Sequence, residues 1–347
     1  MLRSLHKKAP GCQLHVSTTA DSDWLRSQLD FDVVRRSVSY EPGVAQSTCF
    51  EVDVLSTMDA YARFERERPD RLRAECDFLS SHNFVGVVSD IPALAVRAAH
   101  DVGLPAIGVS NFTWDWILEP WCEQAPSITS QLSEDYALGT RQLCLPLGPD
   151  YTPFPEKETA PLIARHATRS PVEVRTLLEL EDRRTAVVCP GGWTAEDWPV
   201  IAARPGDFQL VTVGDLPIEA DVPMRRLSHA LPAGLALTDV IAAADVVLGK
   251  AGYGLASECA VHGVPFSMID RPNFRETPVL MSQYPAFGRS SICSVDEFFS
   301  GLWEPFLEEA IAAEAPGEIE RDGASVIANR ILDLLDITRT GEPTRLH

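Results

Sequence analysis

The segment LGKAGYGLASECAVHGVPF, residues 248–266, places three glycines within six residues, at Gly249, Gly252 and Gly254. An apolar run precedes them and a stretch of small residues typical of a helix follows. Glycine lets backbone N–H groups approach a ligand, and a helix N-terminus offers unpaired N–H groups and a positive dipole. The segment therefore predicts a phosphate or pyrophosphate site, to which Lys250 adds charge. Tight packing between strand and helix is the alternative explanation for the glycines.

Short apolar runs rich in β-branched residues alternate with helical stretches on both sides of this segment. This pattern is typical of parallel sheets covered by helices, and it predicts an α/β fold with two Rossmann-like, doubly wound domains that face each other across a cleft. The predicted strands are 13–18, 31–37, 84–90, 105–111, 185–191, 208–214, 225–230, 246–250 and 265–270, and the predicted helices include 91–103, 237–245, 253–263 and 323–336.

A proline-rich run, residues 145–160, separates two sets of strand–helix units and is the best candidate for the domain boundary. We therefore expect an N-terminal domain at 1–150 and a C-terminal domain at 151–322. The last segment, 323–347, is expected to form a helix that packs back on the N-terminal domain, followed by a tail.

The overall charge excludes one broad class of function. The formal net charge is −20, with 50 acidic and 30 basic side chains, so a general nucleic-acid binder is not expected. The eight cysteines are scattered without metal-ligand spacing, which favours a reducing compartment and no metal site. No apolar run approaches the ~18 residues of a membrane span, and we expect a cytoplasmic protein.

Polar residues near the glycine segment extend the predicted anion site. Ser257 and Glu258 lie one turn into the helix, where a carboxylate can reach a ribose diol. Arg271 and Glu276 follow the next predicted strand, in a loop that opens at the same edge of the sheet. A solvated loop with ordinary charges is the alternative for this second group.

Polar residues also follow two predicted strands of the N-terminal domain. Ser89 and Asp90 come where one strand stops, and Asn111, Trp114 and Asp115 follow the next strand. Two polar groups beside an aromatic ring suit a sugar site. Asp90 as a helix N-cap and Trp114 as a core residue are the alternatives.

A longer segment, residues 249–278, resembles the donor-binding region of GT-B glycosyltransferases. It reads GKAGYGLASECAVHGVPFSMIDRPNFRETP. The resemblance is closer to the glycosyltransferase-like half of arabinokinase-type proteins and their stand-alone bacterial relatives, and it includes EPGVAQSTCFEVD (41–53), residues 87–117 and CPGGW (189–193). It implies a metal-independent transferase that needs no cofactor and moves a sugar from a nucleotide diphosphate donor, expected to be a UDP-sugar, to a hydroxyl acceptor.

The resemblance also implies roles for individual residues of both domains. On the donor side it places Gly191, Gly192, Gly252 and Gly254 at the diphosphate, Glu258 at the ribose and Glu276 at the sugar. On the acceptor side it points to Gln46, Ser89, Asp90, Asn111, Trp114 and Asp115.

The N-terminus departs from the pattern of these relatives. They begin with a strand and a turn rich in glycine and histidine, whereas residues 1–8 here read as the end of the first helix. We therefore expect the natural reading frame to start upstream of Met1, and a truncated, inactive relative is the alternative. In this chain we expect two unpaired strand edges. Asp90, Asp115 or a residue of the absent turn is the expected base. A nucleotide-sugar epimerase or hydrolase and a non-catalytic sugar-nucleotide sensor remain the alternatives.

Overall fold

A computed structural model describes residues 1–124, 126–191, 198–228, 231–232, 234–337 and 344–346. The chain divides into two compact units. Unit 1 comprises Met1–Ala45, Asp53–Ile163 and Asp322–His347, and unit 2 comprises Gln46–Val52 and Ala164–Arg321. Within the described ranges, every helix falls short of the length or the hydropathy that crossing a bilayer requires.

The strands are short and mostly apolar, as buried parallel strands usually are. In chain order they are β1 (Cys12–Ser17), β2 (Val34–Arg36), β3 (Phe84–Ser89), β4 (Ala106–Ser110), β5 (Arg141–Cys144), β6 (Lys157–Thr159), β7 (Thr185–Cys189), β8 (Ile201–Ala203), β9 (Gln209–Val213), β10 (Ile218–Ala220), β11 (Met224–Leu227), β12 (Val246–Lys250), β13 (Phe266–Ile269), β14 (Ser290–Cys293) and β15 (Thr344–Leu346).

Helices connect most of these strands. In chain order they are α1 (Leu2–Lys8), α2 (Ser22–Gln28), α3 (Val54–Ser80), α4 (Ala93–Asp101), α5 (Trp114–Leu118), α6 (Pro126–Tyr136), α7 (Pro171–Leu177), α8 (Leu237–Ala242), α9 (Tyr253–His262), α10 (Glu276–Gln283), α11 (Val295–Ser300), α12 (Glu304–Ala312) and α13 (Gly323–Leu334).

Unit 1 is built on a sheet in the order β2-β1-β15-β3-β4-β5-β6, with every pair parallel. Its core includes Leu14 of β1 and Ile107 of β4, packed with Ile327 and Ile331 of α13. Because parallel strands end at one edge, the loops after β3 and β4 lie side by side.

Unit 2 is built on a second parallel sheet, in the order β11-β9-β7-β12-β13-β14. All five residues of β7 are buried, as expected for a central strand covered on both faces. The two parallel sheets confirm the predicted α/β fold class.

The observed division of the chain corrects two predicted domain assignments. Residues 151–163 belong to unit 1, because β6 extends its sheet and Phe154 fills the space beside Gly108 and Gly139. Gln46 was expected on the acceptor side of the N-terminal domain. It belongs instead to unit 2, because its segment is anchored there by Phe50, which is 1 % exposed and packs in that unit's core.

The prediction that unit 1 has two unpaired strand edges is wrong. The strand β15 lies between β1 and β3, with Thr344 opposite Cys12 and Arg345 opposite Phe84. Strand pairing depends on backbone groups from distant parts of the chain, so the strand–helix pattern near residue 1 does not reveal it.

Candidate functional site

The glycine segment of unit 2 lies where the strand order of the sheet changes direction. After β7, the chain adds β9 and β11 on one side and then crosses to place β12, β13 and β14 on the other. The carboxyl ends of the neighbours β7 and β12 therefore carry Gly191 and Lys250. Ligands of open parallel sheets bind at such a switch point, outside the carboxyl ends of the strands.

The glycines at this point have different structural roles. Gly249 is required by packing, since a Cβ atom there would lie 2.5 Å from the carbonyl oxygen of Cys189. Gly191 has a φ of +121°, which side-chain-bearing residues rarely adopt, and its Cβ position is 3.3 Å from Lys250 Nζ. Gly252 and Gly254 have open space instead, since no heavy atom of the described residues lies closer than 4.0 Å to either Cβ position. Packing therefore explains Gly249 but not the two glycines at the helix N-terminus.

The helix α9 supplies the backbone donors of this site. Gly252 is its N-cap, and within the described part of the chain no side chain caps the first turn. The helix ends at Gly263, which takes the left-handed conformation typical of a C-terminal glycine. A helix N-terminus without a side-chain cap, as at Gly252, is a favourable position for a ligand anion.

Two cations lie beside this helix N-terminus. Arg271 is 5 % exposed, and its guanidinium lies 4.1 Å from the centre of the Phe274 ring. Its buried Nε has no hydrogen-bond partner among the described residues. Burial lowers the pKa of Lys250, and the positive charge of Arg271 lowers it further. Burial also lowers the pKa of Arg271, against the opposing effect of Glu276. Two partly desolvated like charges are the arrangement that an anion stabilises.

The remaining donor-side residues are placed as follows. Glu258 is buried in α9 and accepts a hydrogen bond of 2.6 Å from Arg165 Nε. Ser257 is also buried and donates to the Gly254 carbonyl within the helix. Glu276 is buried at the first turn of α10. Gly192 lies outside the described residues.

In unit 1, Asp90 sits on a strained turn. It is followed by Ile91, whose φ of +82° is an outlier for a β-branched residue. The Tyr136 hydroxyl donates a 2.5 Å hydrogen bond to the Ile91 carbonyl, and Ser89 Oγ donates a 2.9 Å hydrogen bond to the Pro92 carbonyl. These two bonds hold the turn in a conformation that costs ~1–3 kcal/mol elsewhere.

The structure rules out the N-cap explanation for Asp90. The N-cap of α4 is Pro92, so the Asp90 carboxyl group is not used to start the helix. Its side chain is exposed to solvent, yet enough protein surrounds it that lost hydration raises its pKa. A strained turn that presents a carboxyl group to solvent is typical of a functional position.

The other predicted acceptor-side residues are largely engaged in internal contacts. Asp115 is buried and accepts a 2.6 Å hydrogen bond from the Tyr151 hydroxyl, while burial raises its pKa. Asn111 Nδ2 donates to the Leu147 carbonyl at 3.3 Å. Trp114 is 9 % exposed, but its indole nitrogen has no hydrogen-bond partner within the described residues.

Glu41 is a site residue that the sequence analysis did not single out. Its Oε2 atom is buried without a hydrogen-bond partner in the described part of the chain, and burial raises the pKa of the carboxyl group to about 8. The Trp114 indole N–H lies beside this carboxyl group and acts in the opposite direction, although no hydrogen bond of good geometry joins them. The sequence signal for it is its position as the first residue of EPGVAQSTCFEVD (41–53), one of the segments that carry the resemblance.

A cavity of about 660 Å³ lies elsewhere in unit 2. Its lining includes Gly263, Arg289, Glu318 and Arg321. Because Gly263 and Arg289 precede β13 and β14, this cavity opens at the amino ends of the strands, opposite the glycine segment. We therefore do not place the donor site there.

Comparison with known proteins supports the fold. No protein-family model matches the chain. The chain is 29 % identical over 337 residues to L-arabinokinase from Arabidopsis thaliana, an alignment that covers 93 % of this chain and 32 % of that protein. The chain thus spans about a third of the length of this curated relative.

Solved structures give a clearer result. The glycotransferase of kitacinnamycin matches with a TM-score of 0.58 at 16 % identity, covering 99 % of this chain and 92 % of that chain. The fold is that of the GT-B glycosyltransferases. A UDP-glucosyltransferase from Polygonum tinctorium, capable of glucosylating indoxyl, has a TM-score of 0.56 at 14 % identity, covering 96 % of this chain and 90 % of that chain. At these identities the likeness establishes the fold alone.

Proposed function

We propose that this protein is a cytoplasmic glycosyltransferase that binds a nucleotide diphosphate sugar in unit 2 and transfers the sugar to a hydroxyl acceptor bound in unit 1. The observation that carries the proposal is the pairing of Lys250 with the buried Arg271 beside the uncapped helix N-terminus at Gly252. A diphosphate adds negative charge beside these two cations, which Glu276 balances only in part, and the switch point of the sheet is where such a ligand binds.

The proposed transfer follows from these groups. The acceptor oxygen attacks the anomeric carbon, and the bond from that carbon to the diphosphate oxygen breaks with its electron pair on the diphosphate. Lys250, Arg271 and the loop N–H groups stabilise the charge that develops on the leaving group. The acceptor proton passes to a carboxylate of unit 1.

Asp90 fits the role of this base better than Asp115. The Asp115 carboxyl group is buried and already accepts a hydrogen bond from Tyr151. The Asp90 carboxyl group is exposed on a strained turn, and its raised pKa brings it nearer to neutral pH, where a general base works best.

The donor site is tested by titrating UDP and GDP into the full chain and into the variant Lys250→Met/Arg271→Met. Each charged hydrogen bond is worth ~1.5–3 kcal/mol, so we expect at least a ~10-fold weaker affinity and a preference for UDP. Arg225→Met is the matched control, since it removes a half-exposed cation from β11 at the far edge of the same sheet. Equal affinities of the wild type and the double variant would contradict the donor site.

The reaction is tested by product analysis with UDP- and GDP-sugars and a panel of hydroxyl acceptors. Transfer to an acceptor supports the proposal. Release of free sugar indicates a hydrolase, a changed donor sugar indicates an epimerase, and binding without any product indicates a sugar-nucleotide sensor.

A further inference from the structure

The starting point is the unsatisfied carboxyl group of Glu41. This residue lies in unit 1, in the segment between β2 and α3. Among the residues that the structure describes, none donates a hydrogen bond to its buried Oε2 atom. Buried polar groups in folded proteins are nearly always hydrogen-bonded, so an unsatisfied carboxyl group calls for an explanation.

Two further polar groups near Glu41 lack partners as well. The Trp114 indole nitrogen lies beside its carboxyl group, and the Tyr61 hydroxyl is close enough for the charge of Glu41 to raise the pKa of Tyr61. Both atoms are buried without a hydrogen-bond partner in the described ranges, and Tyr61 is 1 % exposed. A carboxyl group, an indole N–H and a phenol hydroxyl together suit a ligand with several hydroxyl groups and an apolar ring face.

The charges around Glu41 restrict the ligand further. The titratable groups that act on it or respond to it are Asp90, Tyr61 and Tyr136, and none of them is a cation. The amino group of Met1 acts on Asp90 and not on Glu41. Burial and the negative charge of Asp90 both raise the pKa of Glu41, to about 8, so the residue is mostly uncharged at neutral pH. A phosphate or carboxylate bound there would meet the negative charge of Asp90, and no cation among the described residues acts on Glu41 itself.

We propose that uncharged Glu41 donates a hydrogen bond to the acceptor, and that Glu41, Tyr61 and Trp114 select an uncharged polyhydroxylated molecule, such as a free sugar, over its phosphate ester. This inference rests on the proposed function, since it names the class of acceptor that unit 1 binds. It assigns Glu41 to acceptor binding and leaves Asp90 as the proton acceptor.

The test measures binding of neutral monosaccharides and of their phosphate esters to the full chain by saturation-transfer NMR at pH 6.5 and pH 9.5. We expect at least one neutral sugar to bind at pH 6.5 and its phosphate ester not to bind. With a Glu41 pKa of about 8, about 3 % of the residue is uncharged at pH 9.5, so the affinity falls ~30-fold.

Three variants sharpen the test. Glu41→Gln keeps a neutral hydrogen-bond donor of the same shape, so binding persists and no longer depends on pH in this range. Glu41→Ala loses binding at both pH values. Glu65→Gln, which alters another partly buried glutamate of α3 with a raised pKa, behaves as the wild type.

Several results would overturn the inference. These are equal binding of the phosphate esters, an unchanged affinity at pH 9.5, loss of binding in Glu41→Gln with the fold retained, or no binding by any neutral sugar of the panel. UDP titration of the same samples reports separately on the donor site, so failure of this inference is distinguishable from failure of the proposed function.

Discussion

Replacing Glu41 by glutamine should change how the stability of this protein depends on pH. The folded chain keeps a proton on Glu41 up to a pKa of about 8, whereas the ordinary value is 4.5. Between these pH values the unfolded chain binds fewer protons than the folded chain, so the free energy of unfolding falls as the pH rises. Glutamine cannot ionise, and Glu41→Gln therefore removes this loss.

The size of the effect follows from the two pKa values. A tenfold change in a proton-binding constant is worth about 1.4 kcal/mol, which sets a ceiling of about 5 kcal/mol for the loss in the wild type. Because Glu41 keeps part of its surface in contact with solvent, we expect less, about 2 kcal/mol. For a unit of this size that corresponds to a melting temperature ~4–8 °C higher for the variant at pH 9.

The assay is thermal unfolding, followed by circular dichroism at pH 5, 7 and 9. We expect similar melting temperatures for the wild type and Glu41→Gln at pH 5, and a gap that grows as the pH rises. Glu65→Gln should show a much smaller gap, since Arg68 lies 4.0 Å from that carboxylate and offsets its burial. Parallel curves for the wild type and Glu41→Gln would refute the argument that Glu41 is buried without a compensating charge.

Three further predictions concern the glycines, the ribose contact and the inserted strand. Gly254→Ala should fold normally but bind UDP more weakly. Gly249→Ala should lower the melting temperature, because its Cβ atom would lie 2.5 Å from a carbonyl oxygen. The reverse pattern in thermal unfolding and UDP titration would contradict this. Glu258→Ala should weaken UDP binding by ~1.5–3 kcal/mol in calorimetry, and an unchanged affinity would remove Glu258 from the ribose site. Deleting residues 344–347 should lower the melting temperature and promote aggregation, measured by light scattering, because β1 and β3 lose their shared neighbour. Deleting residue 347 alone is the control and should have neither effect.

The amino-acid sequence was sufficient for the fold class and for one half of the candidate site. Strands such as β7 and β12 are runs of apolar residues buried on both faces, and this is a local pattern that can be read from single segments. The glycine segment at 248–266 is also local, because the strand, turn and helix that form it are consecutive. Shorter strands such as β8, β10 and β14 were missed, since three or four residues carry too little periodicity.

Only the tertiary structure decided which residues meet. Lys250 and Arg271 come together because β12 and β13 are neighbours in the sheet. The atoms around each glycine distinguish Gly249, which packing requires, from Gly252 and Gly254, which it does not. Phe50 assigns its segment to unit 2, and β15 fills the position between β1 and β3. Glu41 became a candidate through its burial beside Trp114, about seventy residues away in the chain. Burial and long-range pairing depend on the whole folded chain, whereas a sequence pattern reports on neighbours along it.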